Sequence, residues 1–355
     1  MKKVLSLVVA AAALLSMLTA CGGGASSAAE STASAGSTSQ AASATEENGE
    51  AIVLRLASNH TEDFVTSLAT NRFAELVEEK TNGSVKVECY YNAVLGEEKA
   101  TIEQAQFGGI DLIRVNISPL AEFVDDYNAI LFPYIFTSSE HYWKVLDSEE
   151  VGKAMLHSQE MLDNGLYGLC FYDNGTRNFF FTEAEVHNPS ELANLAIRVQ
   201  ESNLMLGMVR AMGANPTSMA ASELYSALQT GVVNGAENNL PWYLSMSLNE
   251  VAPMITMDEH NRSADLLVIS KATMDKLTDE QMAAIQEAAD ESSLYQRELW
   301  AESEKESREE CIEKGCTIID LTDEERQQFM DAVKELNATE GEKYSDIFEK
   351  IEAMK

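Results

Sequence analysis

Apolar positions change period several times along the chain, and each change marks an element. "AIVLRLASNH", residues 51 to 60, is a short run of aliphatic residues with the character of a strand. In "EDFVTSLATNRFAELVEEKTNG" the apolar residues recur at helical spacing and stop at Gly83. "SVKVECYY" alternates as a strand does, "EEKATIEQAQFGG" predicts a helix closed by Gly108 and Gly109, and "IDLIRVN" predicts a further strand. Strands alternating with helices predict βαβ units around a largely parallel sheet. In such α/β sheets ligands gather at the carboxyl ends of the strands.

The second half repeats this logic. "LYGLCFY" predicts a strand and "DNG", Asp173 to Gly175, a turn. "NPSE", Asn188 to Glu191, supplies an N-cap, a proline at the first helical position and an acid at the third, and so opens a short helix that feeds the strand Ala196 to Gln200. "SELYSALQTG" predicts a helix ending at Gly231, with Leu224, Ala227 and Leu228 on one side. From about Asp279 to Lys314 runs one long charged helix, whose apolar stripe of Met282, Ile285, Ala289 and Leu294 predicts packing across the body of the protein.

Against this pattern a few polar residues stand out. In Ala196 to Gln200 alternation sends Ile197 and Val199 to one face and Arg198 with Gln200 to the other. A planar, permanently ionised guanidinium beside an amide fits a carboxylate ligand. A structural salt bridge to one of the many acidic side chains is the competing reading. "DNGTRNFFFT" places Arg177 after the turn, and "NGAENNLPW" gathers Glu237, Asn238, Asn239 and Trp242, amides beside an aromatic that suit sugar hydroxyls and an apolar sugar face.

Charge narrows the partners. With 58 acidic and 25 basic residues among 355, the formal net charge is -33, which repels nucleic acid and anionic membrane surfaces. The N-terminal "MKKVLSLVVAAAALLSMLTAC" has a Lys2/Lys3 start and an apolar stretch too short for a transmembrane span, and predicts an export signal over residues 1–20. "LTAC", Leu18 to Cys21, resembles the lipobox of bacterial lipoproteins, which implies cleavage before Cys21 and its lipidation. Residues 21–50 are rich in Gly, Ala, Ser and Thr and read as a flexible tether. Such a tether spans on the order of 30 Å. A folded body beginning near Ala51 is then held at the outer side of a membrane by its lipid alone.

Enzyme signatures are lacking. No HExxH, GxSxG, Walker or GxGxxG pattern occurs, and His60, His141, His157, His187 and His260 have no metal-ligand spacing, so neither a metal nor a cofactor is expected. Glycosidase chemistry needs two carboxylates about 5 to 9.5 Å apart, which some pair among 58 acids meets by chance. Cys89 and Cys170 read as small core residues, and a Cys311 to Cys316 bridge is an alternative that export would permit.

The ordered series "GTRN", "IRVQ", "GANPTSM", "ELYSALQTGVVNGAEN" and "DEH" resembles the extracytoplasmic solute-binding proteins of TRAP (tripartite ATP-independent periplasmic) transporters, over nearly all of the chain after the tether. The resemblance implies a two-domain α/β fold of the periplasmic-binding-protein type, with crossing strands and a long C-terminal helix. It assigns residues 51–174 and about 264–303 to one domain, and 175–263 and about 304–355 to the other. It implies a monomer outside the cytoplasm, at the cell surface or in the periplasm, that passes an organic acid to membrane permease subunits.

In this family the arginine of "RVQ" pairs with the ligand carboxylate, which points to Arg198, with Arg177 and Asn238 beside it. The "LGEEKATIEQ" segment implies Glu97 or Glu98 and Lys99 as first-domain contacts, together with Asn59 and His60. "RVQES" with Glu201, "GAENN" with Asn239, then Trp242 and "DEHNR" with His260 and Arg262, are similar to the branch that takes sugar acids, especially uronates, and Ala221 leaves room for a sugar ring. A receptor for C4-dicarboxylates, a ligand receptor for a sensor protein and a carbohydrate-acting enzyme are the alternatives.

Overall fold

The computed structural model describes residues 51–355, so the expected signal peptide, the Cys21 lipidation site and the tether lie outside the described residues. The strands are β1 Ile52–Ala57, β2 Val85–Tyr90, β3 Leu112–Asn116, β4 Leu166–Phe181, β5 Ala196–Val199, β6 Asn215–Ser218, β7 Gly235–Asn238, β8 Met254–Ser270 and β9 Thr317–Asp320. They form one sheet in the order β2, β1, β3, β8, β4, β7, β5, β6, with β9 beside β8.

This sheet is mixed, where alternation predicts a largely parallel one. β1 runs parallel to β2 and β3, and β5 runs parallel to β6 and β7. The two parallel blocks are joined by β4 and β8, which run antiparallel to each other. At 16 and 17 residues these strands are long enough to serve both blocks. β8 pairs with β3 through Asp265–Ile269 and with β9 through Met254–Met257, while β4 pairs with β7 through Asn178–Phe181.

The "DNG" segment is not a turn. β4 continues through it, and its register against β8 shifts between Asp173 and Thr176, as at a bulge. Gly175 takes φ +62°, and a Cβ there would lie 2.6 Å from Glu304 Oε1 and 2.8 Å from Trp300 Nε1. The local turn chemistry is absorbed by tertiary bonds: Asp173 N donates to Gln296 Oε1 at 2.7 Å, and Gln296 Nε2 donates to Asp173 O at 2.8 Å.

Gln296 belongs to the long helix Asp279–Glu313, which starts with a capping box between Thr278 and Gln281. Its buried face includes Ile285 and Ala289 as predicted, but Leu294 is 61% exposed. The buried stripe passes instead through Ser292, Ser293, Gln296 and Trp300. Small polar residues serve there because they bond to β4: Ser293 Oγ donates to Phe171 O at 2.6 Å, and Ser292 Oγ lies 2.8 Å from Tyr172 OH.

The helix ends in a Schellman motif. Cys316 N donates to Cys311 O at 2.9 Å and Gly315 N to Ile312 O at 3.0 Å, with Gly315 at φ +86°. Cys311 and Cys316 are buried free thiols, so the bridge considered from the sequence is not formed. Both pack as apolar residues in a core with Tyr243 and Trp300, and Cys316 Sγ lies 3.4 Å from Tyr243 OH.

Side chains of one sheet face share a continuous core running from Ile113 and Leu120 to Val199, Met205 and Phe329. On the other face lie two separate cores. One holds Leu56, Phe73, Leu112 and Ile285, and the other Phe180, Leu228, Tyr243 and Trp300. Arg114 and Arg198 share the face of these separate cores, because alternation sends their neighbours Ile113, Val115, Ile197 and Val199 into the continuous one. The C-terminal residues close against the first half of the chain: Phe132 packs edge-on against Tyr344 and Phe348, and His141 Nε2 lies 2.9 Å from Ile351 O.

Candidate ligand-binding site

β3 and β5 end in the same pattern, Ile113-Arg114-Val115-Asn116 and Ile197-Arg198-Val199-Gln200. The arginines and amides of both line one small polar cavity, where the carboxyl ends of the two parallel blocks meet. Asn59 and His60 enter it from the end of β1, Asn174 and Arg177 from the β4 bulge, Asn238 from the end of β7 and Trp242 from the helix Leu240–Ser245 that follows.

Arg198 is 3% exposed. Its Nε and Nη2 donate to Met219 O at 3.0 and 2.7 Å, and its buried Nη1 has no hydrogen-bond partner. Among the described residues it forms no ion pair, which removes the structural salt bridge as the reason for this charge. Burial lowers its pKa to about 10, with nearby Glu237 acting the other way, so it stays cationic at neutral pH. Gln200 Oε1, on the same wall, is also buried without a partner.

Arg177 is differently placed. Its Nε and Nη2 donate to Glu237 Oε2 and Oε1 at 2.6 and 2.8 Å, and Nη1 donates to Asn238 Oδ1 at 2.8 Å. Glu237 also meets His260 Nε2 at 3.3 Å, and His260 Nδ1 meets Asp258 Oδ2 at 2.8 Å. Burial pushes Glu237 up, but Arg177 and His260 outweigh it and bring its pKa down to about 2. Burial pushes His260 down, but Asp258 and Glu237 raise it to about 9. The four side chains alternate in sign, so the charge of Arg177 is matched within the protein.

The opposite block contributes Arg114, 1% exposed, whose Nη1 lies 3.1 Å from both Glu98 Oε1 and Asp265 Oδ2. Its Nε donates to Ser58 Oγ at 3.3 Å, and its Nη2 donates to Asn59 Oδ1. Asp265 Oδ1 accepts from Asn116 Nδ2 and Asn174 Nδ2 at 3.0 and 3.1 Å. Burial pushes Glu98 up. His60 has a buried Nδ1 without a partner, and burial, with Arg114 adding to it, holds the imidazole well below its usual pKa and therefore neutral.

Of the residues singled out in the sequence, Arg198, Gln200, Arg177, Asn238, Trp242, Ala221, Asn59, His60 and, of the pair Glu97 and Glu98, Glu98 line this cavity. Glu97, Lys99, Glu201, Asn239 and His260 stand outside its wall. Glu97 accepts from Asn59 Nδ2 at 3.3 Å, one step behind it. The helix Glu98–Gln106 turns Glu98 inward, and the roughly 100° step to the next residue leaves Lys99 exposed. Glu201 lies beyond the end of β5, in a bend, and is not part of the wall. Asn239 caps the helix Leu240–Ser245 by accepting from Trp242 N at 2.8 Å, and it donates to Asn174 Oδ1 at 2.9 Å.

Arg114, Asn116, Asn174 and Asp265 were not singled out. "LIRVN" carries the same signal as "AIRVQ", an arginine inside an apolar strand, and would have given Arg114 and Asn116. Asp265 and Asn174 carry no such signal, because only the pairing of Asn116 and Tyr172 with Asp265 brings them in.

Residues 56–343 match the family described as bacterial extracellular solute-binding protein, family 7. The chain belongs to this family. Within reach of it are a solute-binding protein of Chromohalobacter salexigens, 33% identical over 74% of this chain and 78% of its own length, and the 2,3-diketo-L-gulonate-binding periplasmic protein of Escherichia coli, 30% identical over 75% and 80%. The fold matches a TRAP periplasmic solute-binding protein of Bradyrhizobium in complex with galacturonate, with TM-score 0.80, 36% identity and coverage of 84% of this chain and 98% of the other. It also matches one of Chromohalobacter salexigens with bound D-glucuronate, with TM-score 0.81, 30% identity and coverage of 85% and 100%.

Proposed function

We propose that the protein is the extracytoplasmic receptor of a TRAP transporter, that it binds a uronate such as glucuronate or galacturonate, and that it delivers it to the membrane permease. The observation that carries this reading is Arg198, a buried guanidinium with one free donor and no carboxylate partner, in a cavity whose other two arginines, Arg114 and Arg177, are paired with acids. A single ion pair at about 4 Å and an effective dielectric near 20 contributes about 4 kcal/mol. Micromolar affinity corresponds to about 8 kcal/mol, which leaves the remainder to the amides and to Trp242. The acidic surface does not prevent this, since charges beyond about 8 Å are largely screened at physiological salt. The uronates held by the related receptors of Bradyrhizobium and Chromohalobacter support the same ligand class here.

The cavity has a wall from each parallel block, so a ligand reaches it when the blocks separate. We place the moving parts at residues 51–174 with about 264–303, and 175–263 with about 304–355, flexing about β4, β8 and the long helix. The family role is binding and release, so no chemical conversion of the ligand is proposed. Lipidation of Cys21 would keep the receptor beside its permease; no helix among the described residues is long and apolar enough to cross a membrane.

Titration calorimetry against uronates, aldonates and C4-dicarboxylates tests the reading. Saturable binding of a uronate near the micromolar range supports it, and heat from none of the sugar acids overturns it.

A further inference from the structure

We propose that the acidic wall formed by Glu98 and Asp265 around Arg114 limits the ligand to one carboxylate, and that Asp265 is a specificity-determining residue against aldarates, the sugar acids with a carboxylate at each end. This rests on the sugar-acid reading above and adds to it what the far end of the ligand must be.

The inference follows from a charge count of the cavity. Arg177 is matched by Glu237, and Arg198 is matched by nothing, so one side carries one uncompensated positive charge. On the other side a single cation, Arg114, is shared by two carboxylates at 3.1 Å each, which leaves one uncompensated negative charge. The other donors of Arg114 are occupied by Ser58 and Asn59. This arginine therefore offers nothing to a second anion.

The unpartnered buried atoms sort the same way. Arg198 Nη1 is a charged donor and Gln200 Oε1, on the same wall, is an acceptor without a hydrogen bond, while Asp265 Oδ2 meets Arg114 Nη1 at 3.1 Å. Acceptors are satisfied by hydroxyl groups and repel carboxylates. His60 Nδ1, also without a partner, belongs to a neutral ring and adds no charge. Together with the charge count they describe a ligand with one carboxylate at Arg198 and uncharged hydroxyl groups towards Glu98 and Asp265. A second carboxylate there would meet like charge in a desolvated site and leave the acceptors unpaired, which is how a polar site rejects a near-identical ligand.

Three open-chain ligands of one configuration isolate the effect: an aldonate, the corresponding aldarate, and the mono-amide of that aldarate, which keeps its size and removes one charge. Calorimetry on the folded chain, with a uronate as reference, should show the aldarate binding on the order of a hundredfold more weakly than its mono-amide. Glu98→Gln and Asp265→Asn should each shrink that ratio, because each removes one negative charge while keeping the shape. Should Asp265→Asn fail to fold, Glu98→Gln and the wild-type comparison still decide. Aldarate and mono-amide binding within threefold of each other in the wild type, or a ratio unmoved in Glu98→Gln, would overturn the inference while leaving the receptor reading intact. Loss of uronate and aldonate binding alike would instead mean that the sugar-acid reading itself has failed.

Discussion

Arg177 and Glu237 are joined by two side-chain hydrogen bonds of 2.6 and 2.8 Å in a setting where neither is more than 1% exposed. Removing one partner of such a pair strands the other as a buried charge. Glu237→Gln is therefore expected to destabilise the protein by about 3 to 5 kcal/mol. Urea unfolding of the variant beside the wild type measures it, and a loss below 1 kcal/mol would mean that the pair is not the brace described.

The same network sets a pH window. Glu237 is depressed from 4.5 to about 2, so its contribution is present above 4.5 and is lost as pH falls towards 2. His260 is raised from 6.5 to about 9, so its contribution is complete below 6.5 and is lost as pH rises through 9. Together they predict a plateau between 4.5 and 6.5. His260→Gln should be most destabilising relative to wild type in that window, with the gap closing by pH 9, as read from unfolding free energies at stepped pH.

Gly175 combines a positive φ with a crowded Cβ position at Glu304 and Trp300. Gly175→Ala is expected to cost about 1 to 3 kcal/mol, since both strain and overlap act at one residue. A melting temperature unchanged within 1 °C would contradict that reading of the bulge.

Most of the element order could be read from periodicity, because strand and helix periods are strong where one face is buried: Val85–Tyr90, Val65–Lys80 and Asp279–Glu313 are examples. The joining of the parallel blocks by crossing strands was implied by the family resemblance and was not legible in the periodicity. Asp-Asn-Gly has the chemistry of a turn, and only Gln296 and the register of β8, far away in sequence, convert it into a bulge. For the site, Arg198 was legible as a charge in an apolar strand. Its freedom from acidic partners was not, since that depends on Glu237 being taken by Arg177. Leu294 shows the limit of periodicity over a long helix, where serines that bond to strand carbonyls take the buried stripe.

Lys99 is exposed and Glu201 sits in the bend after β5, and neither belongs to the cavity wall. Lys99→Ala and Glu201→Ala should each change uronate affinity by less than about 0.5 kcal/mol. A tenfold loss measured by calorimetry for either one would place it at the ligand.

The central claim is that Arg198 holds the ligand carboxylate. Calorimetric titration of Arg198→Ala with the best wild-type uronate tests it most directly. Losing a charge-assisted bond in a desolvated cavity predicts a weakening of at least a hundredfold, about 2.7 kcal/mol or more. Affinity within twofold of wild type, in a variant whose unfolding shows that it is native, would contradict the account.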